Sequence, residues 1–189
     1  MSESVRQQIV ISGVGGQGVL FVTRLLAEAA IAKKLSVFTS ETHGMAQRGG
    51  TVLSHLKVGD FSSPLIRPYQ ADGLVLLKSE NMLQHGAFLK PGAWAMVNDS
   101  NGNVSQEEIL TASVDADALA QEIGNPKASN LIVLGFALAQ SEQLSSERQK
   151  LFCSIADIKD VLKNRFSSKQ ALLDASLKAL QAGCDAAAK

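Results

Sequence analysis

Residues 8–18 read QIVISGVGGQG, a short apolar run that stops at a cluster of glycines. From Gly18 to Lys33, apolar side chains then recur at near-helical spacing. This stretch therefore predicts a strand, a tight turn and a helix. A glycine turn in that position lets backbone N–H groups approach a phosphate closely, at the positive end of the helix dipole.

The rest of the chain alternates short apolar runs with helix-like segments. Further strands are predicted at residues 35–39, 51–58, 73–77, 93–97 and 109–114. Helices are predicted after the capping residues Asp115 and Ser129, and after Ser154, whose spacing to Asp157 resembles a capping box. The alternation predicts an α/β fold with a doubly wound, mainly parallel, Rossmann-like sheet and a helical C-terminal region. A length of 189 residues favours a single domain spanning residues 1–189.

Charge and hydropathy exclude several classes of protein. Eighteen basic residues balance eighteen acidic ones, so the chain carries no overall electrostatic footprint for nucleic acid or an anionic membrane. The longest apolar run, residues 131–139, is far shorter than the roughly 20 residues of a membrane-spanning helix. The N-terminus lacks the pattern of a signal peptide. We therefore expect a cytoplasmic protein with neither nucleic acid nor membrane as a partner.

Residues able to hold a metal or to attack a substrate are sparse. Cys153 and Cys184 stand alone, with no C-x-x-C pair for an iron–sulfur cluster or zinc. The three histidines have no metal-binding spacing, and no nucleophile signature with a placed base is present. The sequence therefore predicts no catalytic residue and no metal ligand.

The glycine cluster supports three interpretations. As a phosphate-binding loop, it offers the candidate cofactor-binding residues Gly13, Gly15, Gly16, Gln17 and Gly18. The same glycines fit G-x-G-x-x-G, and Glu41 follows the second strand, where a ribose-binding acid could lie, so a self-contained dinucleotide-binding module is the alternative. Glycines can also serve only a tight turn, because they adopt positive φ without penalty.

Residues 40–50 are polar, rich in glycine and without a regular period, which predicts a long functional loop. Arg48, beside two glycines, could present its planar guanidinium to a phosphate or carboxylate, unless it is simply solvated. We expect Arg48 to bind a cofactor. The candidate residues for contact with a substrate or partner are Glu41, His43, Met45, Gln47, Arg48, Gly49 and Gly50.

The glycine loop and residues 40–50, followed by residues 52–55 (VLSH) and 63–66 (SPLI), resemble the gamma-type subunit or domain of 2-oxoacid:ferredoxin oxidoreductases. Within that family the match is to the beta subunit of the indolepyruvate type, and it covers about residues 8 to 180. The resemblance implies a role in oxidative decarboxylation of an aryl 2-oxoacid to an acyl-coenzyme A, with reduction of ferredoxin.

The resemblance also implies a division of labour between subunits. A large partner subunit carries thiamine diphosphate, Mg and iron–sulfur clusters, whereas this chain is a non-catalytic subunit without a cofactor of its own and inactive in isolation. Its glycine loop and Arg48 are possible contacts to coenzyme A. A purely structural role in the complex is a further alternative.

Two other features bear on this assignment. Asp72-Gly73 followed by Asn98 imitates the spacing of a thiamine diphosphate motif, but Ala71 replaces the first glycine, so we interpret the match as a decoy. Residues 42–50 and 64–66 are expected among the loops at the carboxyl ends of the strands and are predicted to contact the large subunit. The reason is that Met45, Leu65 and Ile66 are apolar side chains in segments expected at the surface.

Overall fold

A mixed sheet of six strands forms the centre of the computed structural model, which describes residues 5–43, 50–102, 108–144, 146 and 149–188. The strand order is β2-β3-β1-β4-β5-β6. The strands are β1 (Gln7–Val14), β2 (Val37–His43), β3 (Thr51–Val58), β4 (Ala71–Leu76), β5 (Leu89–Asn98) and β6 (Leu110–Val114).

Six α-helices are assigned within the described residues. They are α1 (Val19–Ala32), α2 (Met82–His85), α3 (Ala116–Glu122), α4 (Ser129–Glu142), α5 (Ile155–Arg165) and α6 (Gln170–Ala186). Short 3-10 turns at Ser79–Asn81 and Gly86–Phe88 flank α2. Among the helices the structure describes, none has the length and apolar character needed to cross a membrane.

The helix starts follow local capping chemistry. The Asp115 carboxylate accepts a hydrogen bond from the Ala118 amide at 2.9 Å, and Ser154 with Asp157 forms the predicted capping box. The prediction that Ser129 caps α4 is wrong, because Ala128 occupies the cap position. Ser129 is the first helical residue, and its hydroxyl instead donates to Asp117 at 2.6 Å.

The predicted α/β fold with a mainly parallel sheet is confirmed. β1, β4, β5 and β6 run parallel, while β3 lies antiparallel between β1 and β2. Residues 40–43, which we predicted as part of a loop, are strand instead. They pair with β3 from Ser40 opposite His55 to His43 opposite Val52, so β3 supplies the hydrogen-bonding partners that the sequence pattern does not reveal.

The two faces of the sheet are covered differently. One face, which includes Ile9, Leu56 and Trp94, packs against the long helices in the main core. The other face, which includes Val10, Leu74 and Val97, forms a smaller core beneath α2 and the segment before β4. Alternation along each strand sends successive side chains to opposite faces, and both are buried, so the strands read as continuous apolar runs.

Asp72 and Asn98 lie toward opposite ends of the sheet. Gly73 on β4 pairs with Trp94 on β5, and Asn98 is four residues beyond that tryptophan. Five residue steps of about 3.3 Å place the two residues about 16 Å apart along the strands. The Asp72 carboxylate is paired with Lys90. The two side chains therefore do not share one metal–diphosphate site.

Candidate functional site

The glycine loop lies where β1 ends and α1 begins, at the carboxyl end of the parallel strands. Gly13 still belongs to β1, whereas Gly15 and Gly16 are exposed. Gly16 has φ of 97° and Gly18 has φ of 83°, which is the left-handed region that favours glycine. A side chain on Gly18 would also overlap the Asn130 amide at the start of α4. The backbone conformation therefore favours glycine at Gly18, and any larger residue would also displace the Asn130 side chain.

Gln17 braces the turn through its side chain. Its Oε1 accepts from the Val14 amide at 2.8 Å, and its Nε2 donates to the Leu77 carbonyl at 2.9 Å. Gly13 makes room for this arrangement, because a Cβ there would lie 2.8 Å from Gln17 Oε1. The Gln17 amide is therefore committed to linking β1 with the end of β4. Contact between Gln17 or Gly13 and a cofactor stays a prediction.

An open cavity of about 470 Å³ lies beside the loop. Among the described residues that line it, the cation is Arg24, an exposed residue about one and a half turns into α1. Our reading of the sequence missed this residue. Its position one turn after Leu20 on α1 is the signal that could have identified it. The cavity is lined by Val14, Gly15, Gly16, Gly18, Val19, Leu20, Phe21, Arg24 and Val52.

The backbone amides of the loop are only partly used by the fold. The Gly15 amide donates to the Gly50 carbonyl at 3.0 Å, and the Gln17 amide donates to the Val14 carbonyl at 3.1 Å. Within the described residues, the amides of Gly16 and Gly18 have no acceptor. The first turn of α1 contains no acidic side chain. The positive end of the helix is therefore available to an anion.

The predicted loop after β2 is described only at its ends. Glu41 is exposed on β2, and the His43 backbone ends that strand. Gly50 contacts the glycine loop through the bond from Gly15, so the structure brings these two predicted segments together. The predicted residues Met45, Gln47, Arg48 and Gly49 lie outside the described residues.

The position of Glu41 does not favour a dinucleotide-binding module. β3 separates β2 from β1, so two strand spacings, about 10 Å, lie between Glu41 and the strand that carries the glycine loop. Glu41 is also level with Ile11, through Ser54, rather than beyond the strand ends. A ribose-binding acid in the G-x-G-x-x-G arrangement follows a strand adjacent to β1. Here the antiparallel strand occupies that place.

A buried polar cluster supports the loop from the side of the smaller core. Ser12 Oγ lies 2.7 Å from His85 Nδ1, and the Asn81 amide donates to Ser12 Oγ at 2.9 Å and to the Gly13 carbonyl at 3.0 Å. Burial lowers the pKa of His85, which favours the neutral imidazole. The cluster fixes the end of β1, a role that the sequence did not indicate for His85.

The cysteines do not fit an iron–sulfur cluster. Burial raises the pKa of the Cys153 thiol to about 12, which disfavours the thiolate that metal ligation requires. Cys184 donates its thiol hydrogen to the Gly135 carbonyl at 3.5 Å within the helical layer. Across the residues that the structure describes, no group of three His, Cys, Asp or Glu side chains is arranged to hold a metal ion.

Comparison with known proteins agrees with the family resemblance seen in the sequence. The family described as pyruvate ferredoxin/flavodoxin oxidoreductase matches residues 8–186. The indolepyruvate oxidoreductase subunit IorB of Archaeoglobus fulgidus is 29% identical, and the match covers 95% of this chain and 94% of that protein.

Two solved structures share the fold. A keto/oxoacid ferredoxin oxidoreductase gamma subunit from Geobacter sulfurreducens has a TM-score of 0.74 at 24% identity, and the match covers 96% of this chain and 98% of that one. The 2-oxoglutarate:ferredoxin oxidoreductase of Magnetococcus marinus, solved with 2-oxoglutarate, coenzyme A and succinyl-CoA bound, has a TM-score of 0.76 at 22% identity. That match covers 97% of this chain but 31% of the longer chain.

Proposed function

Because the chain belongs to the pyruvate ferredoxin/flavodoxin oxidoreductase family, we propose that it is the small accessory subunit of a 2-oxoacid:ferredoxin oxidoreductase of the indolepyruvate type. The assembled enzyme oxidatively decarboxylates an aryl 2-oxoacid to an acyl-coenzyme A and reduces ferredoxin. The observation that carries this proposal is the match, over 95% of this chain and 94% of the relative, to a protein named as an indolepyruvate oxidoreductase subunit.

In this proposal the chain is one domain and contributes no redox centre. Cys153 and Cys184 lack the chemistry of cluster ligands, and Asp72 and Asn98 lie too far apart for a thiamine diphosphate site. As the family resemblance implies, we assign thiamine diphosphate, Mg and the iron–sulfur clusters to a large partner subunit, through which ferredoxin is reduced. The small subunit completes the enzyme by shaping the site at the carboxyl ends of its strands.

Coenzyme A is the ligand that best suits the glycine loop in this proposal. Its pyrophosphate is an anion of the kind that a helix N-terminus with unused amides binds. Gly16 and Gly18 supply such amides, and Arg24 adds a guanidinium at the same cavity. Arg48, two positions before Gly50 in the sequence, is the second arginine that we assign to this ligand. In this proposal these groups position coenzyme A and take no part in making or breaking covalent bonds.

Reconstitution tests the proposed function directly. We expect the purified chain alone to be colourless and inactive, and to restore coenzyme A-dependent reduction of ferredoxin by indolepyruvate when mixed with the large subunit of the same organism. Assays with pyruvate, 2-oxoglutarate and ketoisovalerate compare the substrate classes. Full activity of the large subunit without this chain, or activity of this chain alone, contradicts the proposal.

Two arginines are expected to affect coenzyme A binding. In the reconstituted enzyme, Arg48→Ala and Arg24→Ala should each raise the KM for coenzyme A by about tenfold, because each removes a charge-assisted contact worth about 1.5–3 kcal/mol. The unfolding free energy of the subunit should change by at most about 0.5 kcal/mol. Lys163→Ala on α5 is the matched control. A large loss of stability with a normal KM would assign the arginine a structural role.

A further inference from the structure

A second cavity lies at the opposite end of the strands from the glycine loop, where β1 begins and β3 ends. It has a volume of about 640 Å³, within the range of small-molecule sites. Among the described residues that line it, three side chains are cationic, namely Arg6, Lys57 and Arg67, and one is a carboxylate, Asp60. The overall charge of the chain is zero, so this local excess of positive charge is not a consequence of composition.

Lys57 is the unusual member of this group. The residue as a whole is only 7% exposed, yet within the described part of the chain its ammonium group has no carboxylate partner. It lies 5.0 Å from the centre of the Phe61 ring, and the Arg6 guanidinium lies 4.5 Å from the same centre. Covered lysines are ordinarily paired with an acid, because burying a lone charge is costly. Here the charged neighbours are two more cations.

Nearby acids do not compensate for this charge. Asp60 makes no ion pair with the cations of the cavity within the described residues. Asp72, on the neighbouring strand, is already paired with Lys90 and accepts from the Gln8 amide at 2.6 Å. Burial, Arg6 and Arg67, in that order, lower the pKa of Lys57. An anion in the cavity would offset the repulsion from Arg6 and Arg67 and stabilise the charged form of Lys57, since it would attract all three cations.

We propose that this cavity binds a small anion containing a diphosphate group, using Arg6, Lys57 and Arg67 as its charged contacts. Guanidinium forks suit phosphate oxygens, and the covered lysine supplies a fixed point charge between them. The exposed hydroxyls of Ser62 and Ser63 line the same cavity and offer further hydrogen bonds. The Phe61 ring, with two cations against it, holds the site together rather than stacking on a base.

This site is separate from the one in the proposed function and does not depend on it. The glycine loop follows the end of β1 at Val14, whereas the second cavity lies at the beginning of the same strand. Eight residues at about 3.3 Å each place the two sites about 25 Å apart. The diphosphate group could come from a free nucleotide or inorganic pyrophosphate, or from coenzyme A, and the experiment separates these sources.

Calorimetric titration of the full-length chain tests the inference, with inorganic pyrophosphate, ATP and coenzyme A as separate probes. We expect pyrophosphate to bind, and Lys57→Met and Arg67→Gln each to weaken binding by about tenfold or more, the factor that one charge-assisted hydrogen bond contributes. Lys163→Met, on the helical side of the sheet, should leave pyrophosphate binding unchanged. Arg67 is exposed, so its variant keeps the test valid if Lys57→Met alters folding.

The probes also identify the source of the diphosphate. If coenzyme A competes with pyrophosphate, and Arg67→Gln weakens the binding of coenzyme A, then coenzyme A supplies the diphosphate group. If ATP competes and coenzyme A does not, a free nucleotide supplies it. Absence of pyrophosphate binding, or binding that is indifferent to both Lys57→Met and Arg67→Gln, overturns the inference. Neither result bears on reconstitution of activity, so failure of the proposed function is recognised separately.

Discussion

Gly183→Ala is expected to destabilise the chain by about 3 kcal/mol or more. Gly183 lies where α6 crosses α4, and a Cβ there would overlap the Ile132 carbonyl oxygen and lie 2.8 Å from the Phe136 amide nitrogen. Both are backbone atoms of α4, which cannot rotate away as a side chain can. Gly135 faces the Leu180 carbonyl in the same way, so each helix presents a glycine to the other's backbone.

Intrinsic helix propensity predicts the opposite sign for this substitution. Replacing glycine by alanine inside an exposed helix stabilises it by about 1 kcal/mol. Urea denaturation of Gly183→Ala therefore distinguishes the two effects without ambiguity. Ala171→Val, at an exposed position of the same helix, is the control and should cost only about 0.5 kcal/mol. A neutral or stabilising effect of Gly183→Ala would show that α4 and α6 do not cross this closely.

Two adjacent substitutions are expected to separate folding from assembly. Ile66 is 3% exposed within the smaller core, and its amide donates to His55 Nδ1 at 3.4 Å, so our expectation that it lies at the surface is wrong. The side chain folds onto its own core because β3 and β4 offer an apolar face there. Leu65, its neighbour, is 52% exposed.

Ile66→Glu should therefore lower the free energy of unfolding by about 3–5 kcal/mol, because it places a carboxylate among apolar side chains. Leu65→Glu should leave unfolding nearly unchanged. If Leu65 lies in the proposed contact with the large subunit, Leu65→Glu should weaken assembly by about tenfold or more, because it places an unpaired charge at the interface. Met45→Glu tests the other predicted segment, which lies outside the described residues.

Thermal denaturation measures the first effect, and sedimentation velocity of mixed subunits measures the second. Ser63→Glu, exposed in the same segment, controls for the added charge. Unchanged assembly by folded Leu65→Glu and Met45→Glu would place the partner surface elsewhere on the molecule. A stable Ile66→Glu would mean that the segment before β4 does not pack as the structure shows.

The sequence by itself determined the fold class, the glycine turn and most helix starts. These features depend on local rules: apolar periodicity, the backbone freedom of glycine, and capping by side chains such as Asp115 and Ser154. The motifs around residues 40–55 also identified the family, because a motif depends only on the order of residues in the chain. Features of this kind can be predicted without knowing which segments contact one another in the fold.

Only the tertiary structure decided which residues act together. The placement of β3 between β1 and β2 turned residues 40–43 into strand and moved Glu41 away from the glycine loop. The fold also places Arg24 in the cavity beside that loop, and it places Lys57 and Arg67 in one cavity at the other end of the strands. Burial separated Ile66 from Leu65 although both are apolar and adjacent. Strand order and burial depend on the packing of the whole chain, and no local pattern encodes them.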